Sequence, residues 1–150
     1  MSSKRQMKLG AFFMIPGHHV ASWRHPESAA EDVQQFHLYR RLAETAEKGK
    51  FDMIFFADGY AINDRLESAI EHTVTVRPEP LTLLSAISAV TTKIGLTATV
   101  STTYNEPFHV ARKFASLDHI SGGRAAWNVV TSSQNAEALN FNKNEHLKHA

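Results

Sequence analysis

Short, almost wholly apolar runs alternate along this chain with stretches whose apolar residues recur every three or four positions. The run 8–15 is stopped by Pro16-Gly17 and predicts a buried strand. After a loop rich in His, Ser and Pro to about residue 28, the spacing of Phe36, Tyr39, Ala43 and Ala46 predicts a helix over 31–48. Gly49 is expected to supply its left-handed cap. A second strand spans 51–57 and ends at Asp58-Gly59. Residues 60–79 read as a long loop with one short helix, and Pro80 opens a helix to about Thr92. The third strand is 94–101. Asn105-Glu106-Pro107 caps a helix striped by Val110, Phe114 and Leu117, and Gly122-Gly123 stops it. The fourth strand is 124–130, followed by a weakly patterned helical run over 136–150.

The order is βαβαβαβα, with strands apolar enough to be covered on both faces, which implies a parallel sheet. A doubly wound sheet and a (βα)8 barrel both fit. Segments after the strands (16–28, 58–79, 101–105, 131–136) are long or polar, and those before them are short. The chemistry therefore belongs at the carboxyl ends of the strands in either architecture.

Composition adds exclusions. The 150 residues are 43% apolar and 21% charged, with 16 Lys and Arg against 15 Asp and Glu, which suits one core-forming domain. With no cysteine, a disulfide scaffold, a zinc ribbon and a thiol nucleophile are excluded. The near-zero charge gives no case for nucleic acid or a membrane surface. No apolar run approaches the ~20 residues of a membrane span, and Met1 to Lys8 lack a signal-peptide core, so a cytoplasmic location is expected.

Four places carry candidate chemistry. Asp58, directly after an apolar strand, is either a ligand contact at the mouth of the sheet or an Asp-Gly turn. His18-His19 are adjacent, so in extended chain they point apart and make a poor metal pair. One of them as proton donor or substrate contact competes with two solvated loop histidines. Thr97, Thr99 and Ser101 share one face of the third strand, opposite Leu96, Ala98 and Val100. Three hydroxyls there suggest a ligand that satisfies them, against plain β-propensity. Asn128 interrupts the fourth strand and must brace a loop or hold a polar ligand. No glycine-rich nucleotide cradle is present, and Gly122-Gly123 is a helix stop.

Several segments together resemble one family. Pro16-Gly17-His18-His19 with Trp23-Arg24-His25-Pro26, Phe51-Asp52 through Asp58, and 101–107 are similar to the bacterial luciferase-like, reduced-flavin-dependent monooxygenases. Residues 117–124, Trp127-Asn128-Val129-Val130-Thr131-Ser132, Asn140-Phe141 and Glu145-His146 continue the likeness. The similar branch contains nitrilotriacetate, EDTA, dibenzothiophene-sulfone and long-chain alkane monooxygenases.

That resemblance implies a TIM (βα)8 barrel binding FMN at its carboxyl face, of which residues 1–150 are the N-terminal half, about four βα units, ending before strand five. Reduced flavin (FMNH2) comes from a separate NAD(P)H:flavin reductase, and a flavin C4a-hydroperoxide formed with O2 oxygenates a small chelator, organosulfur or alkane substrate. Position by position, Asp58 matches a strand-end carboxylate near the flavin ring, Thr99 a third-strand hydroxyl, and Asn128 a ribityl contact. His149 matches a histidine near the phosphate, and His18 a first-loop residue for proton handling or substrate contact. Phe12, Met14 and Phe56 are expected to line the slot for the ring. A homo-oligomer is implied for the full-length form. Two other readings remain beside this one, a deazaflavin-dependent oxidoreductase of the same superfamily and an inactive or structural half-barrel.

Overall fold

Four parallel strands, Gly10–Phe13 (β1), Met53–Phe56 (β2), Gly95–Ser101 (β3) and Ala125–Val130 (β4), lie side by side in the order of the chain. They belong to a computed structural model that describes residues 6–62 and 76–148. Most of the expected 60–79 loop therefore falls outside the described residues.

The register sorts the side chains. Ala11, Ile54, Leu96 and Ala125 stand in one row, and Phe12, Phe55, Thr97 and Ala126 in the next. Alternation along a strand sends these rows to opposite faces. Ile54, Phe56, Leu96, Ala98 and Val100 pack in one core with residues of three helices, Phe36–Lys48 (α1), Pro80–Ser88 (α2) and Pro107–Ser121 (α3). All three helices thus cover one face, and the strand order never reverses. A doubly wound sheet needs a reversal and helices on both faces, so the arrangement is four βα units of a (βα)8 barrel.

Local chemistry sets the helix bounds. Residues 31–35, expected as helix, instead form a 3₁₀ turn at Ala30–Asp32 and an extended Gln35 before α1 begins. Leu38, Tyr39, Ala43 and Ala46 are its buried residues, whereas Phe36 is left exposed at the first position. α2 starts at Pro80, where the Glu79 carboxylate accepts from Leu81 N (2.9 Å) and Thr82 N (2.7 Å). It stops at Ser88 rather than Thr92, because the Ser88 and Thr91 carbonyls accept from the Arg124 guanidinium. α3 ends at Gly122, whose φ of 72° is a left-handed cap, whereas the one expected at Gly49 is absent: Gly49 stays right-handed at φ −71° and the following Lys50 takes φ 63°. The final helix is Asn135–Leu139 (α4), not 136–150. Beyond it the chain turns back, with Asn142 at φ 57° and Phe141 stacked on Tyr104.

The amino ends of the strands are fastened by charge. Glu47 Oε1 accepts from Thr92 N (2.9 Å), Lys93 N (2.6 Å) and Ile94 N (3.0 Å), fixing the turn into β3. Burial raises the Glu47 carboxyl, but these three bonds and the Arg124 charge outweigh it and hold it below the usual range. Its contribution is therefore complete above the unfolded carboxyl value and fades as pH falls through the lower folded one. Replacing Glu47 with Gln is expected to cost about 1 kcal/mol at pH 7, and less in acid, in urea denaturation.

Candidate active site

Asp58 follows β2, where the chain leaves the sheet, and its Oδ1 accepts from Gly59 N at 2.9 Å. Burial pushes its carboxyl up to about 6, helped by the charges of Glu79 and Glu137 and opposed by Gly59 N–H and Arg77. Asp58 thus exchanges between its neutral and ionised forms at about pH 6, and carboxyls raised in this way are common at catalytic and binding sites. The residue makes the Asp-Gly turn of one sequence reading and also lines a small recess with Thr99, Ser101, Ser132 and Glu137.

Thr99 and Asn128 meet across β3 and β4, being direct partners in the register. Asn128 Nδ2 donates to Thr99 Oγ1 at 3.0 Å, and Thr99 Oγ1 donates to Phe56 O at 2.9 Å. The carbonyl oxygen and second N–H of Asn128 have no partner among the described residues. The face opposite the helices therefore offers an amide aimed by a buried threonine.

This arrangement corrects one expectation, the place of Phe56, and shows what the β3 hydroxyls hold. Each of them has a partner within the protein. Thr97 Oγ1 donates to Met53 Sδ (3.4 Å), Thr99 bonds as above, and Ser101 Oγ lies 2.9 Å from Ser132 Oγ. Thr99 accordingly acts as a brace for Asn128. Phe56, expected in the slot, does not line the open face. It is buried on the helix side, edge-on to Phe13 and Tyr39. Phe55 takes that place, its ring centroid 4.7 Å from Phe12.

His18 sits at the β1 end, its Nε2 3.2 Å from Phe12 O and its ring edge-on to Phe12. His19 turns elsewhere, accepting from Ala21 N at 3.1 Å through Nδ1. The structure thus brings Asp58 and Thr99 into one recess and joins Asn128 to Thr99, while His18 stands with the Phe12–Phe55 pair. His149 lies outside the described residues.

Sequence reasoning missed the groups that frame the recess. Tyr60 OH accepts from Asn105 Nδ2 (2.8 Å) and Ser101 N (3.3 Å). Tyr60 N donates to Glu137 Oε1 at 3.2 Å, and Asn105 Nδ2 also reaches Ser101 O (2.9 Å). Behind them Tyr104 stacks on Phe141 (4.6 Å) and bonds His146 Nδ1 (2.7 Å). One local signal was available, the Gln134-x-x-Glu137 spacing, which forms a reciprocal capping box at the start of α4.

Known proteins agree with this architecture. The luciferase-like monooxygenase family model matches residues 11–150. N-acetyl-S-(2-succino)cysteine monooxygenase of Bacillus subtilis (strain 168) is 56% identical over 99% of this chain and 33% of its own length. Nitrilotriacetate monooxygenase component A of Aminobacter aminovorans is 45% identical over 99% of this chain and 35% of its own. Among solved structures, a riboflavin lyase with modified FMN and riboflavin superposes with a TM-score of 0.84 at 31% identity, covering 94% of this chain and 33% of that one. The chain spans about a third of the length of the relatives it matches. No helix among the described residues is long and apolar enough to cross a membrane. By the extent of the family match and the identity of the relatives, this chain belongs to the luciferase-like monooxygenase family.

Proposed function

We propose that this chain supplies part of the FMN site of a two-component monooxygenase that oxygenates a small organic molecule of the chelator, organosulfur or alkane type. The observation that carries this reading is the shared open face at the strand ends, where burial raises the Asp58 carboxyl to about 6 and Asn128 is aimed by Thr99 with amide atoms to spare. The residues fit a flavin's chemistry. A flavin needs an apolar surface for its ring and polar groups for its edge and its ribityl chain, and Phe12 with Phe55, Asp58 and Asn128 offer these.

When bound, reduced FMN supplies the electron pair for O2, one oxygen atom entering the substrate and the other leaving as water. The chain's own groups do the rest. Asp58 holds or releases a proton at about pH 6, Asn128 orients, and the Phe12–Phe55 pair offers an apolar surface to the ring. His18, exposed over Phe12, is the proton-handling or substrate-contact group from the first loop. The solved riboflavin lyase with modified FMN supports the cofactor, and the relative named as a component A supports a separate NAD(P)H:flavin reductase.

Anaerobic titration with reduced FMN, followed by fluorescence, tests the reading. Saturable binding is expected, and Asn128→Ala should weaken it about fivefold, the loss of roughly one polar contact. Absence of binding, or a preference for a 5-deazaflavin, overturns it.

A further inference from the structure

Glu137 is the most enclosed carboxylate of the described residues, 5% exposed, although it belongs to a five-residue helix at the surface. Burying an ionised carboxylate is costly unless donors surround it. Four do. Oε1 accepts from Tyr60 N (3.2 Å) and Ser132 Oγ (3.0 Å), and Oε2 accepts from Ser133 N and Gln134 N (3.2 Å each). Burial alone raises its carboxyl, and these bonds outweigh it, so Glu137 is held ionised, below the usual range.

An ionised carboxylate only accepts, so the Ser132 proton points to Glu137 and the Ser101 hydroxyl donates to Ser132 Oγ at 2.9 Å. Ser132 is held at φ 61°, a left-handed conformation unusual for serine, which turns its hydroxyl into this chain of bonds. Capping α4 requires only the Gln134 and Ser133 donors. Reaching Tyr60, 77 residues away in sequence, does not serve the helix. Tyr60 is two residues after Asp58 and is fixed again through its hydroxyl by Asn105 and the Ser101 N–H.

We infer that Glu137 is the positioning residue of this site, its carboxylate tying the segments after β2 and β4 directly, and the end of β3 through Ser132, so that Asp58 is held in place beside a fixed negative charge. The inference rests on the flavin-site reading for its purpose and on the geometry for its existence. Among the described residues, the charged groups that act on Asp58 are Glu79 at the start of α2, Arg77 before it, and Glu137. Glu137 and Glu79 favour the neutral carboxyl, while Arg77 and Gly59 N–H favour the ionised one.

The test follows the Asp58 carboxyl by 13C NMR titration, with Asp58→Asn giving the assignment, alongside FMN titration and thermal unfolding. Wild type is expected to titrate at about 6. Glu137→Gln should move the Asp58 midpoint down and weaken FMN binding about fivefold, since both the charge and the ties to the backbone change. Ser132→Ala keeps the charge and removes one tie, so the midpoint should stay while FMN affinity falls about threefold. An unmoved Asp58 midpoint in folded Glu137→Gln overturns the inference. Should Glu137→Gln fail to fold, Ser132→Ala decides, and wild-type FMN affinity in that variant overturns it. If wild type binds no FMN, the flavin reading falls alone, and the Asp58 midpoint in Glu137→Gln still decides whether Glu137 acts on Asp58.

Discussion

Replacing Arg124 with alanine is expected to remove about 3 kcal/mol of unfolding free energy, a large share of the roughly 5–15 kcal/mol that holds an ordinary domain together. The side chain commits all its donors to the frame. Nε donates to Ser121 O (2.7 Å), and one terminal nitrogen to Ile94 O (2.9 Å) and Thr91 Oγ1 (3.0 Å). The other nitrogen donates to Thr91 O (3.0 Å) and Ser88 O (3.1 Å). Those acceptors end α2, enter β3 and end α3, so one guanidinium closes three corners that have no helical N–H to use. Truncation leaves the carbonyls short of donors, and a lysine cannot span them with one ammonium. Arg124→Lys should therefore recover less than half of the loss. Urea denaturation should show a lower midpoint with unchanged slope. Because Arg124 lies at the amino ends of the strands, FMN affinity of the folded variant should match wild type. A loss under about 0.5 kcal/mol, the range of ordinary surface changes, would mean that Arg124 does not hold these corners.

Arg124 also shows what the sequence can and cannot carry. Strands and helix stops rest on local signals: an apolar run before Pro16-Gly17, the proline at Pro80, the glycine at Gly122. These survive in the structure within a few residues. The early end of α2 at Ser88 does not follow from any local signal, because its cause is a guanidinium more than thirty residues away in sequence. The open face shows the same divide. Thr97, Thr99 and Ser101 alternate with apolar residues, so their common face is readable. Met53-Ile54-Phe55-Phe56 has no polar residue to mark a side, so Phe56, expected on the open face, lies on the helix side and the register sends Phe55 to the opposite face. Asp58 and Asn128 are legible because polar groups at strand ends or within strands need a reason. Glu137 is not, since a surface-looking acidic residue in a weakly patterned run becomes a buried anchor only when Tyr60 folds back onto it.

Replacing Asp58 with asparagine should stabilise the protein at pH 8 and impair flavin binding at the same time. The folded carboxyl is raised to about 6 by burial first and by Glu79 and Glu137 next, against the usual carboxylate value of about 3.9 in the unfolded chain. A raised folded value means that the native state binds protons more tightly between these two values than the unfolded state does. The stabilisation from the neutral acid is complete below about 4 and is lost as pH rises through about 6. At pH 8 the ionised, half-buried Asp58 costs about 1–2 kcal/mol, allowing for the solvent that still reaches it. Asparagine removes that cost, so stability at pH 8 should rise by about this amount while the stabilities at pH 4 stay close. The difference between the two proteins plotted against pH should therefore bend between about 4 and 7. Function should move the other way, since an amide cannot exchange a proton near neutrality. Reduced FMN should bind the variant about thirtyfold more weakly, and the pH dependence of affinity around 6 should flatten. Such opposition between stability and binding is the mark of a residue kept for function. Parallel stability–pH curves for wild type and variant would show that Asp58 titrates normally, and unchanged FMN affinity would remove it from the site.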